Sequence, residues 1–232
     1  MEPTKKTARI SGLIYLVVVL SGMFSLLYVP GQLIDWNDVS ATFHNMQQNQ
    51  SLYRFGILSS VICYVAFIFL ALSLYKLLRS VNESEAKLMA ILAIVSVPIS
   101  FANLQNSFTV LSLVSHEPYL KTFTNVELQN QLMFHLDKYD HGIMAVSVFW
   151  GLWLFPFGHL IFKSGFLPKF LGVFLMLGCA GYLINFIGRT AIPGYSESGF
   201  AGFVSLPSAV GEIGICFWLL IVGVRIRKTS VR

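Results

Sequence analysis

Six long apolar runs separated by polar stretches order this chain of 232 residues. They lie at about 10–29, 55–78, 88–114, 141–162, 170–189 and 206–224. A helix crossing about 30 Å of hydrocarbon needs roughly 20 mostly apolar residues, and each run meets that length. The pattern predicts an all-α integral membrane bundle of six transmembrane helices, a single membrane domain over 1–232. Two of the connections, 30–54 and 115–140, are long enough to hold structure of their own. In the second, Thr124 and Glu127 have the spacing of a capping box, and Leu128, Leu132, Leu136 and Tyr139 recur on one helical face. These residues predict a short surface helix outside the membrane, leading into the fourth span.

Composition makes the bilayer the solvent, with 55% hydrophobic and only 12% charged residues. The net charge of +5 does not imply nucleic acid, because the basic residues cluster at the ends of apolar runs rather than on one face. Twelve of the sixteen lie on one side of the alternation: Lys5, Lys6, Arg9, Lys76, Arg79, Lys87, Lys163, Lys169, Arg225, Arg227, Lys228 and Arg232. Arg54, Lys121, Lys138 and Arg189 fall on the other. The positive-inside bias then places both termini inside, with the two long connections extracytoplasmic. Trp36, Tyr53, Trp150, Trp153, Tyr195 and Trp218 stand mostly near run ends, where interfacial anchors belong. The first run continues to Val29 with no A-x-A-like cleavage site after it, so it reads as a membrane helix rather than a removed signal. Cys63, Cys179 and Cys216 each lie inside a run, at no metal or redox spacing, and read as small apolar residues. Arg9-Ile-Ser-Gly12, Lys87-Leu-Met-Ala90 and Lys169-Phe-Leu-Gly172 open the odd-numbered spans alike. An internal repeat accounts for this, and so do basic anchors and small packing residues at inner helix ends.

Ionisable residues inside a bilayer cost roughly 2.5–3.5 kcal/mol on insertion scales and are functional candidates by default. Glu212 is the clearest. It lies about 9 Å into the final run at 1.5 Å per residue, on the outer side, with Arg189 as the expected neutralising partner. The alternatives are a structural ion pair and a ligand contact. In the third run Ser96, Ser100, Asn103, Asn106 and Ser107 fall within about 120° on one helical face. Such a stripe either lines a cavity or makes interhelical hydrogen bonds worth about 0.6 kcal/mol each. Pro98 frees a backbone carbonyl there for Ser or Asn side chains to satisfy. His135, Asp137, Asp140 and His141 are a weak metal signal on a polar helix, and His44, His116 and His159 read as loop or interface residues. No GxSxG, phosphate loop, dinucleotide fingerprint or metalloprotease spacing occurs, which leaves no implied cofactor or metal and no support for an enzyme. Arg54, Asn103, Asn106, Asp140, His141, Arg189 and Glu212 all map to the outer half of the predicted bundle and form the candidate ligand-binding set.

The stretch Leu154 to Gly172, LFPFGHLIFKSGFLPKFLG, with Tyr53-Arg54-Phe-Gly56, Leu74-Tyr75-Lys76-Leu-Leu-Arg79 and Gly211-Glu212 before Trp218-Leu-Leu, resembles the bacterial membrane proteins grouped as domain of unknown function 4386. The resemblance runs in order along essentially the whole chain. It implies the multi-pass architecture and a bacterial cytoplasmic membrane, and brings no activity with it. His159 stands where the family often has Tyr. Three functional readings follow: a structural or regulatory membrane subunit whose outer segments meet a protein partner or a second copy, a binder or translocator of a small or lipid-like molecule, and a membrane enzyme whose groups converge only on folding.

Overall fold

The structure, a computed structural model, describes residues 4–224 except His116. His116 and the basic residues Arg225, Arg227, Lys228 and Arg232 lie outside the described residues. The described chain is helical throughout, without strands, and six of its helical stretches are long and apolar enough to cross a membrane. The chain is therefore a multi-pass membrane protein.

The first crossing, Lys5–Leu33, joins α1 (Lys5–Met23) through a π-helical turn (Phe24–Tyr28) to α2 (Val29–Leu33). Pro30 supplies no N–H and its ring crowds the turn before it; the wider π turn immediately upstream accommodates both. A helix that the apolar pattern does not reveal, α3 (Val39–Gln48), fills much of the first long connection. Asp38 caps it, its side chain accepting from Ala41 N at 2.8 Å. The second and third crossings are α4 (Gln50–Leu78) and α5 (Glu83–Val114). Asn82 caps α5 by accepting from Glu85 N at 3.2 Å. Pro98 is carried inside α5 without ending it. Ser96 Oγ donates to Ala93 O at 2.7 Å, beside the Ile94 carbonyl that the proline ring leaves free.

The helix signal at 124–139 is met, with its capping box: Thr124 N donates to Glu127 Oε2 at 2.7 Å and Glu127 N to Thr124 Oγ1 at 3.3 Å. The segment is not a separate piece. It forms the opening turns of α6 (Asn125–Leu152), an unbroken helix that passes directly into the fourth crossing. A short break at Trp153 separates α6 from α7 (Leu154–Ser164), where Pro156 leaves the Leu152 carbonyl without its helical donor. The combined stretch of 40 residues would extend about 60 Å at 1.5 Å per residue, twice the hydrocarbon thickness. The stretch is therefore longer than the hydrocarbon it crosses.

The turn from α7 into α8 (Lys169–Ala191) is built as the sequence implies. Gly165 takes a left-handed φ of 70°, Ser164 Oγ accepts from Leu167 N at 3.1 Å, and Pro168 precedes the first residue of α8. Gly158 and Gly172 face each other across this hairpin, and a Cβ on Gly172 would lie 2.5 Å from the Gly158 carbonyl oxygen. The final helix, α9 (Phe200–Ile221), packs on α8. It begins six residues before the apolar run at Leu206, after a left-handed Gly199, and closes at Gly223, also left-handed.

By contacts the chain divides into two compact units. One comprises 1–16, 66–97 and 146–232, the other 17–65 and 98–145.

Candidate functional site

In the first unit the feature with chemical potential is the carboxylate of Glu212. Because α9 starts at Phe200, Glu212 stands about 18 Å from one helix end and about 13 Å from the other at 1.5 Å per residue. This corrects the shallow position read from the apolar run. Arg189 is in the exposed last turn of α8, at the end where α9 begins, so it is far too shallow to neutralise Glu212. Instead Tyr15 Oη of α1 donates to Glu212 Oε2 at 3.2 Å, and the Tyr182 hydroxyl of α8 meets the same carboxylate. Among the described residues no Lys, Arg or His lies within ion-pair distance of it. Around these oxygens the unit is aromatic, with Glu212 and Tyr182 themselves half-buried. Tyr15 lies 6.4 Å from the Trp153 ring, which stacks on Phe157 at 5.1 Å and meets the edge of Phe67 at 5.1 Å. Tyr15, Trp153 and Phe157 are all buried. The close approach of α1 and α9 depends on Gly12, where a Cβ would lie 2.5 Å from Leu220 N, and Cys216 Sγ donates to Gly12 O at 3.7 Å. Gly151 makes equal room for Tyr182, whose Cβ lies 2.5 Å from where the glycine's own would be.

The same unit holds a second polar pair. His159 Nδ1 lies 2.7 Å from Glu85 Oε2, and Asn82 Nδ2 donates to the other carboxylate oxygen at 3.0 Å. His159 thus ties α7 to the start of α5.

In the second unit Asn103 and Asn106 are used by the fold. Asn103 Nδ2 donates to the Tyr139 carbonyl at 2.9 Å, Asn106 Nδ2 donates to Asn103 Oδ1 at 3.1 Å, and His135 Nδ1 lies 3.3 Å from Asn106 Oδ1. Asn103 and Asn106 therefore form a seam against α6, while Ser107 meets the Tyr53 hydroxyl of α4 and Ser100 is buried. Arg54 Nη2 donates to Ser115 Oγ at 3.5 Å, at the end of the α4–α5 pair that Gln50 also clamps by donating to Val114 O at 3.0 Å. His141 pairs with Asp137 at 3.2 Å on the exposed face of α6, turned away from His135's contact with α5, and Asp140 is half-buried on the next position. A cavity of about 40 Å³ opens among Tyr53, Ser60, Ser107, Tyr139, Met46 and Leu136. Beside it the buried Tyr64 hydroxyl lies against the Tyr139 and Ser60 hydroxyls, without a hydrogen bond of good geometry to either.

The candidate set is thus divided. Glu212 and Arg189 belong to the first unit and do not pair, whereas Arg54, Asn103, Asn106, Asp140 and His141 belong to the second, where the asparagines join helices. Tyr15 and Tyr182 were missed because tyrosine counts as apolar in a hydropathy pattern. Their mid-run positions were the available signal, since a phenol far from the interface needs a partner.

A family model described as Domain of unknown function (DUF4386) matches residues 10–223. The chain is 31% identical over 160 residues to an uncharacterized protein of Archaeoglobus fulgidus, covering 69% of this chain and 76% of that one. No solved structure matches the chain.

Proposed function

The chain belongs to the family of domain of unknown function 4386, and from that premise we propose that it is a structural or regulatory membrane subunit without catalytic chemistry of its own. In this reading it sits in a cytoplasmic membrane with both termini inside. The observation that carries it is the fate of the third-span polar residues. Asn103 and Asn106 are spent on each other, on the Tyr139 carbonyl and on His135, all within one helix seam. Side chains satisfied this way hold helices together at about 0.6 kcal/mol per bond and have little left to offer a ligand.

The opening turns of α6 are the part available to a partner. In this reading they stand clear of the membrane, and they leave Val126 64% and Phe134 60% exposed while Leu132 and Leu136 are buried. The test is the size of the assembly extracted gently from native membranes. An assembly larger than the lone chain, reduced to it by replacing Val126 and Phe134 with serine while helix content and thermal unfolding hold, fits the proposal. A lone chain before any change overturns it.

Binding of a small ligand stays as the second reading, favoured by Glu212, whose carboxylate has tyrosines rather than a cation for company.

A further inference from the structure

We propose that Glu212, Tyr15 and Tyr182 form an intramembrane site for one monovalent cation, a proton or an alkali ion, taken up from solution. This goes beyond the subunit reading and does not depend on it.

An ionised carboxylate in a medium of low dielectric constant must be compensated, or it costs several kcal/mol. The described residues supply no Lys, Arg or His within ion-pair distance of Glu212. Arg189 ends α8 at the end where α9 begins, and Glu212 lies about 18 Å along α9 from there at 1.5 Å per residue. Compensation therefore has to come from a mobile ion. Its valence follows from the donor set, which is one carboxylate and two neutral phenols. A divalent ion here would leave a net positive charge in hydrocarbon, and calcium or magnesium sites normally gather more oxygen ligands than a carboxylate and two phenols supply. A single positive charge balances the site.

The geometry suits a small cation. Tyr15 donates to Oε2 at 3.2 Å and Tyr182 meets the same group. Each hydroxyl can rotate about its C–O bond and turn an oxygen lone pair toward an ion, since a phenol both donates and accepts. The carboxylate and the two phenols come from three helices, α9, α1 and α8, so occupancy bears on how those helices hold together. The titratable groups that meet the carboxylate are these two tyrosines, with the Cys216 thiol on α9 beside Tyr15. Trp153, 6.4 Å from Tyr15, is a built-in reporter.

The experiment uses the full chain in lipid nanodiscs. Tryptophan fluorescence and the infrared carboxyl band are followed while sodium replaces choline at fixed pH, and again while pH is varied without alkali ions. A saturable sodium response lost in Glu212→Gln identifies an alkali ion. A carboxyl band that titrates with pH, ignores sodium and is absent in Glu212→Gln identifies a proton. A wild-type chain that responds to neither, or a Glu212→Gln chain that keeps the wild-type response, overturns the proposal. Should Glu212→Gln fail to fold, Tyr182→Phe carries the test, because it removes one oxygen and keeps the carboxylate. Loss of one hydrogen-bonding partner to a charged group is expected to move the half-point about tenfold. An unmoved half-point overturns the proposal equally.

Discussion

Replacing Gly142 by alanine is expected to destabilise the protein by about 1–3 kcal/mol, and the penalty to disappear when residue 103 is also alanine. A Cβ on Gly142 would lie 2.6 Å from Asn103 Nδ2 and closer still to the rest of that carboxamide. The side chain of Asn103 would have to leave. It would give up its bond to the Tyr139 carbonyl at 2.9 Å and the one it accepts from Asn106 at 3.1 Å. At about 0.6 kcal/mol each these losses total about 1 kcal/mol, and overpacking adds about 1–3 kcal/mol. The gain in helix propensity from Gly to Ala, about 1 kcal/mol, offsets part of this. Reversible unfolding in mixed micelles of increasing denaturing detergent measures the four corners of the cycle. With Asn103→Ala in place the new methyl meets space, so Gly142→Ala should be neutral or stabilising by about 1 kcal/mol. An equal cost in both backgrounds would refute the seam as described.

The hairpin of α7 and α8 should be still less forgiving. Gly172→Ala puts a methyl 2.5 Å from the Gly158 carbonyl oxygen and 2.9 Å from Phe162 N, both backbone, and a loss of about 2–4 kcal/mol in the same unfolding assay is expected. Thr124→Ala removes the cap that accepts from Glu127 N at 3.3 Å, at a local cost of about 1 kcal/mol. Its signature is faster amide exchange in the first turn of α6, with global unfolding unchanged. Tyr64→Phe deletes a buried hydroxyl that meets Tyr139 and Ser60 without good hydrogen-bond geometry, so stability should hold or rise by up to about 1 kcal/mol in the unfolding assay; a clear loss would show that one of these neighbours bonds it.

All six crossings were legible, because runs of apolar residues long enough to span hydrocarbon have few other physical explanations. Their ends were not. Helices persist into polar sequence when a cap is present, as Asp38 starts α3 and Asn82 starts α5, and the apolar count ignores caps. Glu212 stands at mid-helix for another reason, since α9 begins at Phe200 after a left-handed Gly199 and runs through Phe203 and Val204 before Leu206. The turn at Gly165 and Pro168 was readable because its residues have few other conformations to choose from. Tyr195, expected as an interfacial anchor, is buried against Gly188 and donates to Asn185 Oδ1 at 2.8 Å. Of the candidate site, Glu212 stood out as a charge in a membrane segment. The tyrosines that meet it come from residues 30 and 197 positions away, and no local pattern encodes such a meeting.

A subunit that works through an exposed segment rather than through chemistry of its own should be caught on its partner by a photoreactive amino acid at position 134 in native membranes. One adduct of defined protein mass is expected, abolished by Val126→Ser and unaffected by Glu212→Gln. Adducts with lipid alone would contradict it.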